Sequence, residues 1–599
     1  MSFTTRPEIR GRFGVVSATH WLAAQTAMRM LELGGNAFDA AAAGGFVLQV
    51  AEPHLNGPGG DVPIVFWNAA ARRAQVICGQ GPAPRRATIA HMRALGIDLI
   101  PGTGLLPAVV PGAFDAWMAL AAAHGTMDPA AILASAIEYA EGGVPVLPRL
   151  AATFAALETI FRRDWPDSAA LYFRAGIPQA GAPLTNPVIG ATWRRLAAAT
   201  GGTRAQRFDA VRAAWSNGFV AEAIDDYCAR AKIVDITGRA HAACLRGDDL
   251  ARWRAPEEAP TAHPWCERTV FKCGPWSQGP VFQQMLALVE QDGRIASDPA
   301  GPDFVHVIVE AAKLAFADRE TYYGDPDFVA VPLDRLLDPG YTALRRAAIG
   351  ETASAEFRPG EVAGHGRRPD FAAALGRKRE DGLLAAYGAG EPTFTSIDPA
   401  HRPTALVGDT SSIVVADRFG NMVAATPSGG WLQASPTIPA LGFCLGTRGQ
   451  SFWLDDGHPN ALAPGKRPRT TLTPTLVIDD KGPVYASASP GGDQQDQWQL
   501  QVMLRHFVHG LDLQAAIDHP TFHAEQWPSS FYPRGAVAQA VKIEDRFPAA
   551  TLEGLATRGH AVKPVQGWSE GPVCAVAAGD GWLKAAASPR GQQAYAIGR

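Results

Sequence analysis

Apolar and polar positions along the 599-residue chain follow two rhythms, one of strands and one of helices. Residues 14–18 (GVVSA) read as a strand. Residues 20–33 carry apolar side chains at helical spacing and stop at Gly34-Gly35. An Ala-rich helix over 36–50 begins at Asn36, a good N-cap. The segment 57–61 (GPGGD) turns the chain into strands at 62–67 and 75–78. From about 107 to 337 the helical pattern dominates, with 311–317 inside one helix. Between about 348 and 404 the periodicity fades and Gly, Pro, Arg and Asp accumulate, which reads as a mobile surface linker. A β-rich region follows: strands at 412–416 and 422–426 around the turn 418–421 (RFGN), then a hairpin over 473–487 turning at 479–482 (DDKG). Ser489-Pro490-Gly491-Gly492 then lead into a helix over about 493–509. No internal repeat occurs. Two strand-rich halves with helices between and after them predict a layered sheet sandwich covered by helices.

Composition narrows the class. Hydrophobic residues make up 47% and charged residues 19%, which suits a globular protein with a large core. A formal net charge of -4 provides no basic field for nucleic acid, and dispersed aromatics form no stacking platform. The start, MSFTTRPEIRGRFG, lacks a signal-peptide pattern, and no apolar stretch is long enough for a membrane helix, so a cytoplasmic protein without membrane partners is expected. Seven Cys are scattered without a CxxC and are expected to be buried, reduced thiols. No metal or cofactor is expected. GPWSQG (274–279) lacks the spacing of a nucleophile elbow and reads as a loop that packs Trp276. His20, His54, His519 and His523 read as structural.

The candidate chemistry lies where the linker ends. Gly408-Asp409-Thr410-Ser411-Ser412 runs directly into a strand. A Thr hydroxyl is a weak nucleophile. If the chain breaks before it, the freed α-amine titrates near neutral pH and can serve as its base. Such a residue must be held rigidly at a strand start, with a disposable segment before it, and Thr410 meets both conditions. Thr also favours strands, so the local pattern alone leaves a purely structural Thr410 open.

The wider pattern resembles the γ-glutamyltranspeptidase family. Five segments carry the resemblance, in order: LELGGNAFDAAAAGGFVLQVAEPHLNGPGGD (31–61), EAAKLAFADRETYYGDPDFVAVPL (310–333), GDTSSIVVADRFGNMVAAT (408–426), PGKRPRTTLTPTLV (464–477) and ASPGGDQQ (488–495). The resemblance is weakest over 150–260 and in the linker. It implies the α+β, four-layer αββα sandwich of N-terminal-nucleophile hydrolases. It also implies a precursor that cuts itself between Asp409 and Thr410 into a large (1–409) and a small (410–599) subunit. By the same resemblance, Thr410 is the nucleophile and Ser428 stands where a second Thr hydrogen-bonds it. Gly491 and Gly492 match the pair whose N–H groups hold the oxyanion, as a Gly pair opening a helix can. Thr470 and Thr471 replace a Ser pair that binds the substrate carboxylate, and Arg590, in SPRG, resembles a family Arg. The implied partners are a small-molecule amide, an amino acid or dipeptide acceptor, and the chain's own two fragments.

The substrate positions depart from that pattern. Ile89 stands where the family has the Arg that pairs with the γ-glutamyl α-carboxylate, with Arg85 and Arg86 in the same loop. Arg448 and Ser451, in LGTRGQSF, fall where a Gln and an acidic residue grip the substrate amine; aligning on the acidic pair selects Asp455 and Asp456 instead. Gly430 replaces an Asn of the lid-like segment. A charge-assisted hydrogen bond is worth about 1.5–3 kcal/mol, so losing two weakens γ-glutamyl binding roughly 10²–10⁴-fold. Three readings follow: a γ-glutamyltransferase or glutathione hydrolase, a family amidase or acylase acting on another amide, and a non-catalytic scaffold.

Overall fold

The computed structural model describes residues 3–198, 201–377 and 410–599. Two seven-stranded sheets, each antiparallel throughout, form its centre. One runs Ile9–Gly11, Trp582–Ala587, Cys574–Gly579, Pro483–Ala488, Thr475–Ile478, Arg268–Lys272, Thr261–Trp265. The other runs Tyr595–Gly598, Gly14–Ala18, Ile413–Asp417, Met422–Ala425, Val62–Asn68, Arg73–Gly79, Glu257–Glu258.

The two-residue period of the strands sorts their side chains between two cores. In the second sheet Val15, Val65, Val414, Ala416, Met422 and Ala424 join one cluster with Leu476, Ala486, Val576 and Ala585 of the first sheet. The alternate residues Val16, Ile64, Phe66, Ile413, Val415 and Val423 pack instead with helices Trp21–Glu32, Ala37–Ala51 and Ala113–His124. On the first sheet Val270, Val477 and Tyr485 pack with helices Gly279–Val289, Pro302–Tyr322 and Gln495–Phe507. A strand covered on both faces must be apolar at every position, as IVVA at 413–416 is.

Asn36 caps Ala37–Ala51, with Asp39 completing a capping box. The RFGN turn between Ile413–Asp417 and Met422–Ala425 is tied to the same helix. The buried Asp417 carboxylate accepts from the amides of Ala37 (2.9 Å), Phe419 (2.9 Å) and Asn421 (3.0 Å) and from Asn421 Nδ2 (2.9 Å).

Three expectations need correction. The stretch 107–337 is not uniformly helical: hairpin Thr261–Trp265/Arg268–Lys272 completes an edge of the first sheet. Pro264, His263 and Lys272 blur its alternation: the edge strand Thr261–Trp265 tolerates Pro264 because one side needs no partner, and Lys272, on the inner strand, is buried against Asp496 (3.0 Å). The described first half of the expected linker is anchored. Arg358 pairs with Glu310 (3.0 Å), Gly360 N–H donates to Asp318 (2.8 Å), and Phe371–Gly376 is helical; residues 378–404 lie outside the described residues. Six cysteines are buried and none is bridged, but Cys266 is exposed at the tip of the edge hairpin. Trp276 is fully buried, as its loop suggested. No helix among the described residues is long and apolar enough to cross a membrane.

Asp417→Ala would strand three backbone amides and one side-chain amide. It is expected to lower the unfolding free energy by about 2–4 kcal/mol, read from the denaturant midpoint.

Candidate active site

Beyond the regular hairpin the chain keeps pairing, and this places Thr410. Thr410 bridges Ser428, and Ser428 bridges Asp61 through Ser428 N–H to Asp61 O (2.9 Å) and Asp61 N–H to Ser428 O (2.8 Å). The Thr410 and Ser428 hydroxyls are 3.1 Å apart, both buried. The GPGGD turn must pass close to this ladder: a Cβ on Gly60 would sit 2.0 Å from Ser428 O.

Behind Thr410 a carboxylate gathers hydroxyls. Glu52 accepts from Ser411 Oγ (2.6 Å), Thr19 Oγ1 (2.8 Å) and the Gln593 amide, while Asn56 Nδ2 donates to Ser411 Oγ (2.9 Å). Burial raises the Glu52 carboxyl to about 6, and the donors from Ser411 and Thr19 oppose that rise. On the other side Asp61 takes a two-pronged pair from Arg448 (Nε and Nη2, 3.1 Å each) and a hydrogen bond from Thr470 Oγ1 (3.3 Å). The Arg448 guanidinium lies over Trp431 (5.3 Å) and Phe531 (5.6 Å).

Gly491 and Gly492 open the turn into Gln495–Phe507 with φ of 119° and 52°, and a Cβ on Gly491 would strike the Trp498 ring at 2.1 Å. Among the described residues neither amide has an acceptor. Pro490, just before them, lines a small cavity of about 30 Å³, with room for about one water, together with Thr410, Arg149, Ser588, Arg590 and Gln593.

The expected site residues therefore divide. Thr410, Ser428, Thr470 and Arg448 converge, and Pro490 brings the Gly491-Gly492 turn to the Thr410 cavity. Thr471 is buried beside Thr470, its hydroxyl without a partner among the described residues. Ser451 donates to Arg448 O (2.9 Å). Arg590 lines the cavity, but its guanidinium is held by Glu544 (3.0 and 3.1 Å) and the carbonyls of Ile517 and His519. Ile89 lies in an apolar cluster with Ala87, Met92 and Leu106, and Arg85 reaches Asp248 at the surface (3.8 Å). Asp455 and Asp456 pair with Arg367 and Arg93. Asp409 lies outside the described residues. Sequence reasoning missed the roles of Glu52, Asn56 and Asp61, although all three stand in the segment 31–61 that carries the resemblance. It also missed Arg149, which no motif marks.

His306, Glu310 and His560 are the only cluster of potential metal-ligating groups among the described residues. Lys313 (2.7 Å) and Arg358 (3.0 Å) already neutralise Glu310, so the charge a cation needs is spent.

Residues 23–598 match the family model described as Gamma-glutamyltranspeptidase. The chain belongs to the γ-glutamyltranspeptidase family. A solved structure described as LmbA2991HD is 47% identical over 100% of both chains, with a TM-score of 0.92. The glutathione hydrolase-like YwrD proenzyme of Bacillus subtilis (strain 168) is 27% identical over 97% of each chain. The oxamate amidohydrolase proenzyme of Klebsiella pneumoniae is 28% identical over 97% of this chain and 98% of its own length. Family relatives thus cleave different amides.

Glu52 makes stability depend on pH. Its carboxyl is raised in the folded chain, so the native state holds the extra proton and stability falls as pH rises from about 4.5 to about 6. The unfolding free energy of the native chain, relative to Glu52→Gln, is expected to drop by about 2 kcal/mol across that window and to stay level above it.

Proposed function

We propose that this chain is a self-processing amidohydrolase that cleaves a short acyl amide through a Thr410 ester. The observation that carries the reading is the placement of Thr410: locked at the head of a strand buried on both faces, its hydroxyl 3.1 Å from Ser428 Oγ, in a cavity shared with Pro490. In this reading the bond between Asp409 and Thr410 breaks first, giving fragments 1–409 and 410–599. The layered order of helices, sheet, sheet and helices is then the αββα sandwich of N-terminal-nucleophile hydrolases.

Each turnover has two halves. Thr410 Oγ1 attacks the amide carbonyl while its own α-amine takes the hydroxyl proton. The tetrahedral oxyanion is held by the N–H groups of Gly491 and Gly492 at the positive end of the following helix. Collapse breaks the C–N bond, and the proton passes to the leaving amine. Water, or an acceptor amine such as an amino acid or dipeptide, then attacks the ester and frees Thr410. Ser428 donates to or accepts from Thr410 Oγ1 throughout and fixes its rotamer.

γ-Glutamyl amides, with glutathione hydrolysis as the reference case, are the first substrates to test. A second reading, a non-γ-glutamyl amide, is supported by Ile89 in its apolar cluster and by Arg448 committed to Asp61.

Incubation of the purified chain at neutral pH is expected to give two fragments, the smaller beginning Thr-Ser-Ser-Ile-Val-Val by N-terminal sequencing. Thr410→Ala should give one intact mass and no amide turnover. An intact native chain under all conditions would favour the non-catalytic scaffold. Ser428→Ala should process and turn over roughly 10–100-fold more slowly, the loss of about 1.5–3 kcal/mol of transition-state stabilisation.

A further inference from the structure

We infer that Gln278, in the GPWSQG loop, is a positioning residue for amide cleavage: with Arg319 it clamps the Gly491-Gly492 turn so that the two N–H groups face the oxyanion. The inference rests on the acyl-enzyme reading of Thr410 and adds to it a device supplied by the large segment.

The turn presents its amides by engaging its carbonyls. A peptide unit is planar and trans, so fixing a carbonyl fixes the N–H on its opposite side. Pro490 O accepts from Ser489 Oγ (2.7 Å), a donor shared with Pro572 O (2.8 Å), and Gly491 O accepts from the Gln494 amide (2.9 Å). These bonds hold the peptide units that carry the Gly491 and Gly492 N–H groups, and both donors belong to the same segment. The third carbonyl, Gly492 O, accepts from Gln278 Nε2 (3.3 Å), which lies 214 positions away in the chain.

Gln278 is fully buried and is itself held. Its Oε1 accepts from Arg319 Nη1 (2.7 Å), and the same Nη1 reaches the carboxylate of Asp493 (2.5 Å), the residue after Gly492. Ser530 closes the far side of Asp493 with its amide (2.9 Å) and its hydroxyl (2.6 Å). Burial alone would raise the Asp493 carboxyl, but Arg319 and Ser530 outweigh it and hold it below its ordinary value, so the pair stays charged at neutral pH. The Gln278 backbone N–H donates to Thr470 O (2.9 Å), which sets the loop against the segment that reaches Asp61. The position demands a particular side chain. A guanidinium only donates and a carbonyl only accepts, so the group between them must present one acceptor and one donor. The glutamine amide presents both, Glu presents only the acceptor, and Leu presents neither.

Oxyanion contacts gain strength as charge develops, so a slackened turn costs kcat rather than KM. The test uses γ-glutamyl p-nitroanilide and its thioamide, whose sulfur accepts hydrogen bonds weakly. On the oxo substrate Gln278→Leu should lower kcat about 10–100-fold with KM within about twofold, and it should narrow the oxo-to-thio ratio of kcat/KM about tenfold. A smaller folded fraction leaves that ratio unchanged, so a purely structural role does not move it. Gln278→Glu keeps the volume and the Arg319 partner, which guards the fold, and should narrow the ratio to a similar extent. A native ratio in both variants would overturn the assignment. Hydrogen–deuterium exchange of the 488–498 segment, which needs no turnover, should be faster in both variants than in the native chain, and unchanged exchange would overturn the clamp. If the native chain neither processes itself nor cleaves the anilide, the Thr410 reading has failed, and the exchange result alone decides the clamp.

Discussion

Everything near the site depends on one constraint: the strand Ile413–Asp417 is buried on both faces. One face meets the first sheet and the other meets helices, so neither can shift without opening a core. Its N-terminal end therefore points to one place. Thr410 reaches that place three residues before the strand, and Ser428 reaches it three residues after the return strand. The hairpin geometry alone brings the two hydroxyls together, and the tie from Asp417 to the N-terminus of Ala37–Ala51 keeps the far end of the hairpin from sliding.

The two buried carboxylates beside Thr410 are each satisfied by donors from distant segments. Glu52, fully buried, must be satisfied by hydrogen bonds or be protonated, and Ser411, Thr19 and Gln593 supply the donors. Asp61 carries a full two-pronged Arg448 pair, so a buried acid and a buried base cancel. Both devices hold backbone segments from distant parts of the chain against the Thr410 strand: the 52–61 turn on one side and the loops of Arg448 and Thr470 on the other. They are scaffolding for Thr410.

That division bears on specificity. With Arg448 committed to Asp61 and Ile89 packed among apolar side chains, the charges that would grip a γ-glutamyl group in the family pattern are absent or engaged. Relatives named for different amides can share the geometry at Thr410 and at Gly491-Gly492 while nearby charges are rearranged, because the former depends on strand and turn geometry and the latter on single side chains.

The chain's own patterning determined the strands and helices of the site. Apolar periodicity placed 14–18, 62–67, 75–78 and the two hairpins within a residue or two, and the Asn36 cap, the RFGN turn and the Gly491-Gly492 helix entry were each legible because their chemistry is local. The hairpin over 261–272 was not, since its inward positions include the polar His263 and Lys272, which hide the alternation of its burial. Nor were the partnerships of Glu52 with Ser411, of Asp61 with Arg448, or of Arg149 with the Thr410 cavity. These join residues 359, 387 and 261 positions apart. No local pattern encodes which of many buried charges will meet; only the stacking of two sheets and their helices decides it, because a charge taken out of water must find its partner wherever the fold delivers one.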